Sequence, residues 1–507
     1  MIKNFKWLFL VSLTFIACSE DDEVITYDST DGLPLTSGTA DFSKYVALGD
    51  SFAAGFSDNA LFIEGQKGAY PNIIAQQFAL VGGGAFTTPF MADNIGGLLL
   101  GGNVIQGPRL YFNGTAPVPV AGPPTTEVTT PLTGSFNNMG VPGAKSFHLL
   151  APGYGNAAGV AAGTASPYFS RFSSSSTATV LADALSQTPT FFSLWIGGND
   201  VLGYATSGGA ASNPITPTAT FDAAYNGLAS QLAAGGRKGV VANLPYVNTL
   251  PFFTTVPTNP IPGLSPTQAG QLNFLFGGIN SALAGASLPP RFATIVADDG
   301  NPATTERNPL LIIDESLPNI STQITAALTG TLGPTTAAFV GGLYGQARHA
   351  SNATATRDYI LLPAQTVIGT TQSGAPASFS TIGVTYPMQD PTTLTAAEAL
   401  EIKNATDSYN ITIQAAATAN GLAFVDATAI MNQLSSTAGI TANNFTLTAN
   451  FVTGGAFSLD GVHPSPRGYA LIANKFIEAI NAKYGSNLKG VNLGNYRILF
   501  PQNPANF

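Results

Sequence analysis

Ser51, Asp460 and His463 are the side chains of this sequence whose chemistry joins most readily into one reaction. A serine hydroxyl is a weak nucleophile until a base takes its proton, and the usual base is a histidine oriented by a carboxylate. Ser51 stands in KYVALGDSFAAG (residues 44–55), directly after the apolar run Tyr45–Leu48, which suits a buried strand. Open α/β sheets place reactive groups at that end of a strand. Three histidines are available, His148, His349 and His463. His463 is preferred because Asp460 lies three residues before it in DGVHPSP, where Pro464 and Pro466 stiffen the turn holding the imidazole. Taken singly, Gly49-Asp50-Ser51 also reads as an ordinary turn, and Asp460 and His463 as a turn and a helix cap.

Acyl transfer also needs donors aimed at the developing oxyanion. Asn199 follows the apolar run Thr190–Gly197 (TFFSLWIG), where its amide can point into a cleft at the strand end. Gly140, in NNMGVPG, has a backbone N–H that a substrate oxygen can reach, although turn glycines are common in a chain with 55 of them. Asp50 and Asp200 are expected to support their turns rather than react. His148 is expected to pack against the surface or a helix, and nothing marks His349 as a metal ligand. No two histidines have metal-site spacing, so neither a metal nor a cofactor is expected. No Gly-x-Ser-x-Gly elbow is present, which argues against the ordinary α/β-hydrolase arrangement. Phe252, Phe274 and Phe276 are candidates to line an acyl pocket.

The elements that must position these groups alternate strand and helix, the pattern of a parallel sheet flanked by helices. Strands are expected at Tyr45–Leu48, Thr190–Gly197, Gly239–Leu244 and Leu422–Val425. Helices are expected at Tyr70–Leu80, Phe221–Ala234 (stopped by Gly235-Gly236), Thr395–Ala419 and Pro464–Lys483. Asn137–Gly143 reads as a turn leading into a helix, and Gly101–Pro131 as loop. Residues 250–392 are too long for a simple crossover and read as an insertion or small subdomain, with helices near Thr267–Ala284 and Ser321–Leu328.

Ser51 in GDS, Gly140 in NMGVPG, Asn199 in GGND and His463 in DGVHP, in that order, together resemble the SGNH hydrolases, or GDSL-type esterases and lipases. NLP at Asn243–Pro245 resembles a further segment of that family. The resemblance implies a flavodoxin-like three-layer α/β/α sandwich with a mostly parallel sheet, plus large loop or subdomain insertions. It implies Ser51 as nucleophile, His463 as base and Asp460 as its orienting acid. The oxyanion hole it implies is the N–H of Ser51, the N–H of Gly140 and the side-chain amide of Asn199. Phe52 stands where the family has Leu, at a position expected to face structure. The implied activity is carboxylic-ester hydrolysis through an acyl-enzyme. Carbohydrate O-deacetylation and phospholipid acyl hydrolysis would use the same residues, and a non-catalytic glycan- or protein-binding surface lipoprotein is the contrasting reading.

At 507 residues, with 45% hydrophobic and 9% charged residues and a net charge of −9, the chain is globular and lacks the basic footprint of a nucleic-acid binder. Its single cysteine, Cys18, excludes an intrachain disulfide. Met1–Ala17, with Lys3 and Lys6 before an apolar run, resembles a lipoprotein signal peptide, with Cys18 as the lipidated residue. Ser19–Glu23 resembles the acidic tag of Bacteroidetes proteins exported to the cell surface. The expected organisation is a signal at 1–17, a lipidated linker at 18–42, a hydrolase domain at 43–490 with insertions at about 56–135 and 250–392, and a tail at 491–507. The expected state is an outer-membrane monomer, held to the membrane by its lipid alone, acting on an ester substrate such as an acylated glycan or lipid.

Overall fold

A computed structural model describes residues 32–503 apart from Pro302. The signal segment, Cys18, the acidic tag and residues 504–507 lie outside the described residues. No helix among the described residues is long and apolar enough to cross a membrane.

Five parallel strands form the central sheet: β1 (Tyr45–Gly49), β2 (Asn138–Gly140), β3 (Phe191–Trp195), β4 (Lys238–Ala242) and β5 (Ala423–Val425). Their spatial order is β5-β4-β3-β1-β2, so the chain leaves β1 toward one edge and returns to build outward on its other side. That is the flavodoxin-like order, with its switch point between β1 and β3. Both faces of the inner strands are covered, and every residue of β1 and β3 is buried. This is why they read as unbroken apolar runs rather than alternating ones.

Helices α1 (Ser51–Ala54), α2 (Tyr70–Ala79), α3 (Asn199–Thr206), α4 (Thr218–Ala233), α5 (Ala396–Ala419), α6 (Ala427–Leu434) and α7 (Pro466–Tyr484) complete the sandwich. α7 packs against α2 and β5, while α4 packs against α5. Pro71 lies in the first turn of α2, where a missing N–H costs nothing. Thr395 and Glu398 cap α5 reciprocally, and Ser465 accepts from the Gly468 N–H to start α7.

Two stretches differ from the sequence expectation. Asn138–Gly140 is not a turn but the edge strand β2, too short and polar to announce itself. Within 101–131, and just before it, two antiparallel ribbons form, Leu98–Leu100 with Asn103–Gln106 and Leu110–Phe112 with Pro117–Pro119. Pro117 and Pro119 alternate with Val118 opposite Phe112, Leu110 and Tyr111, a spacing that an edge ribbon tolerates.

Residues 250–392 build a second hydrophobic core from the helices Pro266–Gly285, Ser321–Leu332 and Pro334–Tyr344. Phe276, Ile279, Ile324, Val340 and Tyr344 meet inside it. Phe252, Phe274 and Phe276 therefore do not line one acyl pocket. Phe276 stacks on Phe292 in this second core, Phe274 is 66% exposed, and Phe252 lies beside Gly461 of the main body.

Candidate active site

Asp50 directly follows β1 and caps α1, its carboxylate accepting from the Phe52 N–H at 3.0 Å. Ser51 thereby becomes the first residue of the helix, where a backbone N–H has no intrahelical partner. Burial pushes the Asp50 carboxyl up to about 6, against the Phe52 N–H and the nearby His463, which lower it.

The structure brings Ser51, His463 and Asp460 together at the carboxyl end of the sheet. Ser51 Oγ lies 2.9 Å from His463 Nε2, and His463 Nδ1 lies 2.9 Å from Asp460 Oδ2. Asp460 has a full set of donors. Its Oδ1 accepts from the N–H groups of Val462 and His463, both at 2.8 Å, and its Oδ2 from the Asn59 N–H at 2.9 Å as well as from the ring. Burial works to raise this carboxyl, but the His463 ring and these N–H groups hold it down at about 2. An ionised Asp460 can only accept, so the Nδ1 proton is fixed and Nε2 presents its lone pair to Ser51.

The loop after α1 is fastened to the loop carrying the acid and base. Ser57 Oγ donates to the Pro464 carbonyl at 3.2 Å, and the Asp58 N–H to Ser458 Oγ at 3.0 Å. Asp58 Oδ1 accepts from the Leu459 N–H at 2.9 Å. A contact from the insertion reaches the same loop, the Phe252 N–H donating to the Gly461 carbonyl at 2.9 Å. These backbone partners carry no motif and were not visible in the sequence.

Asn199 opens α3 and is half-buried; its side-chain amide donates to the Ala144 carbonyl at 3.0 Å, leaving one N–H over. The Asp200 carboxylate accepts from the backbone and hydroxyl of Ser146 at 2.8 and 2.9 Å, tying α3 to the segment after β2.

Gly140 departs from the expected oxyanion role. Its N–H already donates to Asn138 Oδ1 at 3.0 Å. Its missing side chain serves packing instead, because a Cβ there would come within 2.3 Å of the Ala54 nitrogen of α1. The next glycine fits the role better. Gly143 has φ +78°, open space around it and no hydrogen-bond partner for its N–H among the described residues, and it adjoins the Ala144 that Asn199 contacts. The Pro142-Gly143 pair was the available signal, since a turn with glycine at a positive φ exposes its N–H groups.

Phe52, expected to face structure alone, stacks on Trp195 at 5.1 Å and also meets the edge of the His463 ring at 5.5 Å. His148 accepts from the Lys145 N–H at 3.1 Å and stacks on Tyr154; burial, then Lys145, lowers it to about 4. His349 is buried among Phe276 and Phe292 in the second core, and burial lowers it to about 4. Both are neutral packing residues. Asp298, Asp299 and Glu306 could jointly reach a metal ion, but they stand on a loop of the insertion, where Asp298 and Asp299 accept turn N–H groups from Gly300 and Asn301.

A parallel α/β sandwich with an acid, a base and a hydroxyl in series at its switch point defines a hydrolase. The chain belongs to the GDSL-like lipase/acylhydrolase family, whose model matches residues 45–476. Searches of curated proteins and of solved structures found no match to it.

Proposed function

We propose that this chain is a serine acylhydrolase that cleaves carboxylic esters through an acyl-enzyme. The observation that carries this reading is the unbroken series Ser51 Oγ, His463 Nε2, His463 Nδ1, Asp460 Oδ2, with both hydrogen bonds at 2.9 Å. As Ser51 Oγ bonds to the ester carbonyl carbon, its proton passes to Nε2, and Asp460 stabilises the imidazolium. The resulting oxyanion takes the N–H groups of Ser51 and Gly143 and the spare amide N–H of Asn199. His463 then protonates the departing alcohol. Water, deprotonated by the same nitrogen, attacks the acyl-serine and restores Ser51.

Hydrolysis of a p-nitrophenyl ester by wild-type protein, absent in folded Ser51→Ala and His463→Ala, is the expected result. Full activity in both variants would sink the proposal. The export reading rests on the sequence of residues 1–23, and its test is palmitate labelling that disappears in Cys18→Ala.

A further inference from the structure

Arg171 is a buried cation without a counter-charge. It is 2% exposed, and among the described residues no carboxylate pairs with it or acts on its charge. A guanidinium carries five N–H groups. One of these donates to the Phe90 carbonyl at 2.6 Å and one meets the Met91 sulfur at 3.1 Å, while the rest have no acceptor among the described residues. Arg109, also buried, is served quite differently. Its Nε and both terminal nitrogens donate to carbonyls, and the charge of Asp58 acts on it. Buried charges are ordinarily paired, because an unpaired one is costly to take out of water.

The Arg171 side chain borders a small pocket of about 10 Å³, room for about one water. Two further donors line it. The hydroxyl of Tyr168, a residue only 8% exposed, has no hydrogen-bond partner among the described residues. Gln66 accepts from the Met91 N–H at 2.7 Å and donates to the Pro89 carbonyl at 3.0 Å, which fixes its amide and leaves one N–H over. Burial lowers the guanidinium to about 10 and raises the Tyr168 hydroxyl, so at neutral pH one stays charged and the other stays a donor. No carboxylate lines the pocket. A water could accept from these groups but would leave the charge of Arg171 unbalanced. A carboxylate, phosphate or sulfate is too large for the space.

We propose that this pocket binds a single halide ion, such as chloride, held by the Arg171 guanidinium, the Tyr168 hydroxyl and the spare amide N–H of Gln66. Ala54 of α1, Gly140 and Pro142 also line the pocket, so the ion braces the helix that begins at Ser51 and the turn that leads to Gly143. The site is independent of the acylhydrolase reading, since none of its donors takes part in the reaction.

The test melts wild type at one ionic strength in sodium chloride, sodium bromide and sodium gluconate, whose anion does not fit the pocket. Both halides should raise Tm over gluconate by about 2 °C or more, along a curve that saturates with concentration. Ser51→Ala should respond as wild type does, and Arg171→Met should not respond. A crystal grown in bromide should give an anomalous peak in contact with the Arg171 guanidinium. Equal melting in the three salts, an unchanged halide response in Arg171→Met, or a pocket that holds only water in the bromide crystal would overturn the site. If Arg171→Met does not fold, Tyr168→Phe, which removes only the hydroxyl, should need a higher halide concentration for the same rise in Tm, and an unshifted curve would count against the site.

Discussion

Asn59 donates its backbone N–H to Asp460 Oδ2 at 2.9 Å, so the loop that follows the nucleophile helix holds the acid 401 positions away. The same oxygen takes the His463 ring, and the ring meets Ser51. The geometry of the serine and of its base is therefore set by one continuous hydrogen-bonded circuit rather than by two independent loops. Because Asp460 is ionised down to about pH 2, Asp460→Asn removes both the charge and the acceptor that fixes the tautomer. The expected loss is about 10⁴ in kcat, with a fold intact by circular dichroism. A loss of less than tenfold would mean that another group orients His463.

The two glycines after β2 make opposite predictions. Gly140→Ala forces a Cβ against the α1 backbone that carries Ser51, and is expected to cost about 1–3 kcal/mol or more along with activity. Gly143→Ala meets open space and keeps its N–H. It should cost only about 1 kcal/mol for the positive φ and leave kcat within a few-fold. Thermal melts and ester kinetics on both variants check this, and the reverse ranking would show that the close approach of Gly140 to α1 is not what holds the nucleophile helix.

Asn199→Ala removes the one side-chain donor of the proposed oxyanion hole. A fall of about 10²–10³ in kcat with little change in KM is expected, since the oxyanion exists only beyond the ground state. A change confined to KM would show instead that Asn199 binds substrate.

The buried strands and long helices were legible in the sequence because one physical pattern dominates each. β1 and β3 are apolar throughout because both faces are covered, and α5 and α7 carry caps and an apolar stripe. Ser51, Asn199 and His463 were legible because each follows such an element or begins one. β2 was not, since three residues at a sheet edge need no apolar run. Nor was the choice between Gly140 and Gly143, which turns on a contact with α1 and on the Asn138 side chain. The roles of Asp58 and Asn59 depend on partners about 400 positions distant, which no local pattern encodes.

Arg348 joins the second core to the main body. Its guanidinium donates to Asp314 at 2.7 Å and to both oxygens of Asp358 at 2.5 and 2.7 Å, and Asp358 also accepts from the Ala396 N–H at the start of α5. Arg348→Met would strand two buried carboxylates, and a destabilisation of about 3–5 kcal/mol is expected. Hydrogen exchange should rise first in residues 310–360. Unchanged protection there would show that the network does not hold the insertion.

Asp58 predicts a pH dependence of stability opposite in sign to that of Asp460. Burial raises its carboxyl to about 7 against the Leu459 N–H, and its Oδ2 has no hydrogen-bond partner. A carboxyl raised in the folded state favours folding below its unfolded value of 3.8 and loses that advantage as pH climbs to about 7. Asp460, lowered to about 2, instead stabilises above 3.8 and loses its contribution as pH falls through 2. The two windows do not overlap, so they can be separated. Asp58→Asn keeps the acceptor for Leu459 and removes the charge. It should gain on wild type as pH rises from 4 to 7, by roughly 1.4 kcal/mol for each unit between the folded and unfolded pKa values. Asp50, raised to about 6 by burial, keeps a smaller slope of the same sign in the variant. Urea melts of both proteins at pH 4, 5.5 and 8 measure the difference, and parallel stability curves would rule out Asp58 as its source.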